Sequence, residues 1–127
     1  MSKKRILVVD DEPDLVTMVK KNLEREGYKV EVAYNGVEAM EKVKANPPDA
    51  IVLDVMMPEK DGYAVCAELK NDDKYADIPI VMLTAVADHV SSTRYSHADG
   101  MNMEADDYLP KPASPEQIAE SIKNLLG

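Results

Sequence analysis

Short, near-continuous apolar runs alternate along this chain with stretches in which apolar residues recur at helical spacing. Arg5-Ile6-Leu7-Val8-Val9-Asp10, Ala50-Ile51-Val52-Leu53 and Ile78-Pro79-Ile80-Val81-Met82-Leu83 are the continuous runs. Runs of that length and aliphatic content suit strands of a parallel sheet covered on both faces. Tyr28 to Ala33 alternates, with Val30 and Val32 on one side, as an outer strand would. A last short strand is expected around Asp107 to Leu109. Pro79 lacks a ladder donor and belongs at the start of its strand.

The stretches between predict helices. Leu15, Val16, Met18, Val19 and Leu23 form one stripe, which Gly27 stops. Val37, Met40 and Val43 form a second stripe, closed by Asn46-Pro47-Pro48. Tyr63, Cys66 and Leu69 form a third, starting near Gly62 with Asp61 as its cap. Ser114, Pro115 and Gln117 make a capping box, followed by the stripe Ile118, Ile122, Leu125 and Leu126. From Asp88 to Glu104 the pattern weakens: Val90, Ala98 and Met101 suggest a partial helix among poor helix formers. Five strands alternating with about five helices read as an α/β doubly wound sheet.

At 127 residues the chain is expected to form one domain, spanning 1–127. The formal charge of −9, from 15 Lys and Arg against 24 Asp and Glu, weighs against direct nucleic-acid binding, which needs a basic face. It favours a divalent cation or a basic partner. One cysteine, Cys66, excludes an internal disulfide, and its place on an apolar helical face marks it as a buried small residue. No run is long enough for a signal peptide or a membrane span, so a cytoplasmic location is expected. With six Tyr, eight Met and neither Phe nor Trp, the core must be largely aliphatic. His89 and His97 lack a companion at ligand spacing and read as surface residues. Met101 and Met103 are candidates for exposure to a partner.

The chemistry gathers where strands end. Asp10 and Asp11 follow the first strand, Asp54 ends the third, Thr84 ends the fourth, and Lys111 follows the fifth. In an open parallel sheet those carboxyl ends converge on one ligand-binding crevice. One Asp there is commonplace, since Asp caps helices and makes turns. Four strand ends with complementary groups are not. Two unit charges about 4 Å apart repel by roughly 4 kcal/mol at an effective dielectric near 20. Three carboxylates in one cleft therefore call for a proton or a cation. Oxygen donors without Cys or paired His fit Mg²⁺. Such an ion beside a carboxylate and a lysine is a template for phosphoryl transfer to Asp.

In this order and spacing, Val8-Val9-Asp10-Asp11-Glu12-Pro13, Leu53-Asp54-Val55-Met56-Met57-Pro58-Glu59-Lys60-Asp61-Gly62, Leu83-Thr84-Ala85 and Ala105-Asp106-Asp107-Tyr108-Leu109-Pro110-Lys111-Pro112 resemble a response-regulator receiver domain over essentially the whole chain. The resemblance implies a flavodoxin-like five-stranded parallel sheet in the order 2-1-3-4-5. It implies a non-enzymatic phosphoacceptor in two-component phosphorelay signalling. Asp54 would accept a phosphoryl group from a histidine kinase or a histidine phosphotransfer protein. Asp10, Asp11, Asp54 and the Met56 backbone carbonyl would hold Mg²⁺. Lys111 would pair with phosphoryl oxygens, Thr84 would move to bond them, and Tyr108 would turn inward in response. The Lys111-Pro112 bond is commonly cis in the family.

The chain also departs from the family. The stretch from Thr84 to Lys111 is a few residues longer than usual, and Glu104 stands where a Gly is common. The output face, the downstream target and any pairing of two copies therefore stay open, as does whether the chain works alone or within a longer regulator. Met56 and Val86, two residues past Asp54 and Thr84, are apolar and predict a slowly hydrolysed acyl phosphate. A flavodoxin-like electron carrier would need a Ser/Thr/Gly-rich loop where Asp10-Asp11-Glu12-Pro13 stands. A phosphohydrolase with an Asp nucleophile on its first strand would need a second Asp at position 12, which is Glu. A degenerate receiver used only for docking would not need the full Asp10, Asp11, Asp54, Thr84 and Lys111 set.

Overall fold

Every apolar run singled out above forms a strand, and all five strands lie parallel in one sheet. The computed structural model describes residues 3–55, 61–84, 105–111 and 113–126. The strands are β1 (Arg5–Val9), β2 (Lys29–Ala33), β3 (Ala50–Asp54), β4 (Ile80–Thr84) and β5 (Asp107–Pro110). The helices are α1 (Pro13–Arg25), α2 (Gly36–Ala45), α3 (Gly62–Lys70) and α4 (Pro115–Leu126). The sheet order is β2-β1-β3-β4-β5. Four helices are described against the five expected. The weakly patterned stretch from Asp88 to Glu104, with His89, His97, Met101 and Met103, lies outside the described residues.

Alternate side chains of the central strands enter two separate apolar layers, which explains why their sequences lack a polar alternation. Leu7, Val9, Ile51, Leu53, Ile80 and Met82 pack with α2 and α3. Ile6, Val8, Ala50, Val52, Val81 and Leu83 pack with α1 and α4. β4 begins at Ile80 rather than Ile78, because Pro79 can only accept: its carbonyl takes the Ile51 N–H at 2.9 Å. β5 continues one residue further than expected, to Pro110, which an edge strand tolerates.

Two stripe residues face water instead of the core. Met18 is 53% exposed and Val37 47%. At 3.6 residues per turn, Val37 stands roughly 110° round α2 from the centre of the buried set Ala39, Met40 and Val43. Met18 is similarly turned away from Val16, Val19 and Leu23. The small residue Ala39 completes the α2 stripe in place of Val37.

The expected punctuation holds elsewhere. Gly27 ends α1 with φ of 102°, a conformation that favours glycine. Asp61 caps α3 by accepting the Ala64 N–H at 2.8 Å. Ser114 and Gln117 form the reciprocal box, at 2.8 and 3.1 Å. Cys66 is buried.

One charged clip holds the opposite end of the sheet. Lys70 Nζ donates to Asp106 Oδ2 at 2.8 Å and to the carbonyls of Ile78 and Ala76 at 2.9 and 3.1 Å. Asp106 Oδ2 also accepts the Ile80 N–H at 2.8 Å. The end of α3 is thereby tied to the starts of β4 and β5. Lys70→Met keeps the apolar stem but leaves these acceptors without their cation. It is expected to lower unfolding free energy by about 1–3 kcal/mol, seen as a lower urea midpoint at unchanged slope.

Candidate functional site

Parallel register carries the polar strand ends to one edge. Val9 pairs with Leu53, Asp54 with Leu83, and Thr84 with Pro110. The ladder extends just past the strands: the Asp10 N–H donates to Ala33 O at 3.1 Å and the Lys111 N–H to Thr84 O at 2.7 Å. Asp10, Asp54, Thr84 and Lys111 are thus fixed by backbone pairing. Asp10 and Asp54 are each 1% exposed and Thr84 2%.

The side chains converge. Lys111 Nζ lies 3.2 Å from Asp54 Oδ1, 3.5 Å from Asp10 Oδ2 and 3.4 Å from Glu12 Oε1. One carboxylate oxygen from each of Asp10, Asp11 and Asp54 falls within 4.8 Å of the others. Asp11 is the exposed member of that trio, so the cluster opens to solvent on its side. Neither Asp10 nor Asp11 caps α1. The N-cap is Glu12, whose side chain makes no cap bond, and Asp10 Oδ1 accepts the Glu12 N–H at 3.0 Å. That Asx-type turn holds Asp10 in place for other work.

Burial, and then the Asp54 charge, push the Asp10 carboxyl up to about 6, against the pull of the Glu12 N–H and Lys111. Burial disfavours the Lys111 ammonium, but Asp10, Asp54 and Glu12 outweigh it and hold its pKa above the ordinary lysine value. Among the described residues a single ammonium faces these carboxylates, and it cannot balance them all. All the clustered donors are oxygens, the set suited to a hard divalent cation such as Mg²⁺.

The raised Asp10 pKa has a consequence for folding. Below about pH 4 the carboxyl is protonated in both folded and unfolded chains and contributes nothing. Between about 4 and 6 the folded chain binds more protons, so this contribution falls as pH rises, and above 6 the full penalty applies. Without divalent metal, Asp10→Asn is expected to be more stable than the parent at pH 8 by on the order of 3 kcal/mol. The gap should close as pH falls from 6 to 4. Urea melts of both chains in a chelator across pH 4–8 check it; a gap constant with pH would contradict it.

Thr84 Oγ1 is buried with no hydrogen-bond partner among the described residues. Alternation puts Thr84 on the sheet face of Met82, which pairs with Tyr108 on β5. Tyr108 is half-buried against the α2/α3 layer, and its hydroxyl accepts the Ala105 N–H at 3.1 Å. Met56 and Val86, and Pro112 with its peptide bond, lie outside the described residues.

In the sequence Gly62 marks the start of a helix and the end of the Leu53–Gly62 motif, with no packing role attached to it. A Cβ there would fall 2.3 Å from the Asp54 carbonyl oxygen, so α3 begins pressed against the backbone that carries Asp54. The Gly62 N–H donates to Val55 O at 3.0 Å. The Asp61-Gly62 pair was the available signal: a cap followed by a residue without a side chain.

A family model described as the response regulator receiver domain matches residues 6–123. The chain belongs to the response-regulator receiver family. The receiver is 43% identical over 123 residues to the alkaline phosphatase synthesis transcriptional regulatory protein PhoP of Bacillus subtilis, covering 97% of this chain and 48% of that protein. It is 44% identical over 122 residues to the response regulator MprA of Mycobacterium ulcerans, covering 96% and 50%. The receiver therefore spans about half the length of the curated relatives it matches. Among solved structures, the chemotaxis response regulator CheY4 of Vibrio cholerae matches with a TM-score of 0.85 and 30% identity, covering 98% of this chain and 100% of that one. The receiver domain of a signal transduction histidine kinase from Syntrophus aciditrophicus matches with a TM-score of 0.83 and 36% identity, covering 97% and 89%. Two-component signalling is the setting of this family. Among the described residues no helix is long and apolar enough to cross a membrane.

Proposed function

We propose that this receiver, working in the cytoplasm as one unit over residues 1–127, takes a phosphoryl group onto Asp54 from a phosphohistidine on a histidine kinase or phosphotransfer protein. An Asp54 carboxylate oxygen attacks phosphorus in line, the P–N bond breaks, and the electron pair leaves with the imidazole. Asp10, Asp11 and Asp54, with the backbone carbonyl of Met56, would hold Mg²⁺. When bound, that ion offsets carboxylate repulsion and the charge on the phosphoryl oxygens. Lys111 donates to a phosphoryl oxygen from its place beside Asp54. Thr84, whose buried hydroxyl has no partner among the described residues, gains one by moving toward the new acceptor. Tyr108, on the same sheet face, follows into the space vacated, which biases a two-state output surface.

The observation that carries this reading is the meeting of Lys111 Nζ with buried Asp54 and Asp10 at 3.2 and 3.5 Å, one edge of the cluster of three Asp oxygens. A chain serving only as a docking module has no need of that arrangement. The test is intact-mass measurement after incubation with phosphoramidate, with and without Mg²⁺. A gain of one phosphoryl that requires Mg²⁺ is expected. No gain with phosphoramidate or a phosphorylated partner would favour the docking module.

A further inference from the structure

Lys111 is shared among three carboxylates at nearly equal distance, and they are not equivalent. Asp10 and Asp54 are buried and belong to the cluster of candidate metal ligands. Glu12 belongs to neither class: it is 64% exposed and lies outside that cluster. Its backbone is fixed by the bond from its N–H to Asp10 Oδ1, while its carboxylate takes no part in capping α1. The carboxylate reaches instead across the chain to Lys111 Nζ, at 3.4 Å.

An ammonium is a compact charge with three donors; one reaches Glu12 Oε1 as a hydrogen bond, whereas Asp10 Oδ2 faces Lys111 as an ion pair without one among the described residues. A divalent cation among the oxygens of Asp10, Asp11 and Asp54 repels that ammonium and competes with it for the same two buried carboxylates. Of the three carboxylates among the described residues that touch Lys111, Glu12 alone can keep its hold while the cation sits among the others.

We propose that Glu12 is a positioning residue that draws the Lys111 ammonium toward the rim of the site and so keeps Asp10 and Asp54 accessible to a divalent cation. The assignment rests on the metal part of the proposed function. It acts through Lys111 and not through the charge of Glu12 alone, and that distinction is measurable.

The experiment is a double-mutant cycle read by Mg²⁺ affinity of the unphosphorylated chain, from NMR titration with Mg²⁺ alone. The four proteins are the parent, Glu12→Gln, Lys111→Met and the double variant. Glu12→Gln is expected to weaken Mg²⁺ binding by roughly 3- to 10-fold in the parent, because an ammonium no longer shared with Glu12 is held more strongly by Asp10 and Asp54 and is harder for the cation to displace. In the Lys111→Met background the same change is expected to weaken it by less than about 2-fold. Equal weakening in both backgrounds would reduce Glu12 to a distant charge and overturn the assignment. So would unchanged or tighter binding in Glu12→Gln. A parent without Mg²⁺ affinity would overturn both this assignment and the metal part of the proposed function, whereas a background-independent effect removes the assignment alone.

Discussion

Asp54→Asn is expected to take up no phosphoryl group from phosphoramidate with Mg²⁺, a loss of at least about 1,000-fold or roughly 4 kcal/mol in barrier. The amide that replaces the carboxylate is nearly the same shape but lacks an anionic oxygen to attack phosphorus. The loss is chemical and not a failure to fold. β3 is held by backbone pairing to β1 and β4, which the substitution leaves intact. Two side-chain effects oppose each other: Lys111 loses a charged partner at 3.2 Å, while Asp10 loses the like charge that helps raise its pKa. A native circular dichroism spectrum with no mass gain is the expected pair of results. Uptake at the parent's rate would place the acceptor elsewhere.

Gly62→Ala is expected to cost about 2–4 kcal/mol of stability. The added Cβ would meet the Asp54 carbonyl oxygen at 2.3 Å, the Val55 Cα at 2.9 Å and the Asp54 carbonyl carbon at 3.0 Å. All three are backbone atoms, so no side chain can rotate aside. The higher helix propensity of Ala, worth up to about 1 kcal/mol, does not offset a contact that tight. Because the backbone that must shift is Asp54's own, phosphoryl uptake should fall along with the urea midpoint. Stability equal to the parent's would show that α3 can slide away from β3 at little cost.

Much of this molecule was legible before folding because its signals are local. Continuous aliphatic runs mark strands buried on both faces, and Asp61, Ser114-Gln117 and Gly27 mark helix ends through bonds or torsions spanning only a few residues. Met18 and Val37 misled for the matching reason. Each lies near an apolar stripe in sequence, but which part of a helix meets the sheet depends on how the helix packs. Ala39 therefore enters the core while bulkier Val37 stays outside. The weak stretch from Asp88 to Glu104 offered no strong local signal at all.

The site divides the same way. The order of elements, the parallel sheet and the residue types at each strand end followed from the sequence by itself, since periodicity and end-of-strand chemistry are written in neighbouring positions. Only the tertiary structure decided that Lys111 is divided among Asp54, Asp10 and Glu12, that Asp10 serves a turn without capping α1, and that Gly62 must lack a side chain. Those facts depend on distances between segments far apart in the chain. Close approach of that kind is set by register and packing between strands and helices, and leaves no periodic trace along the sequence.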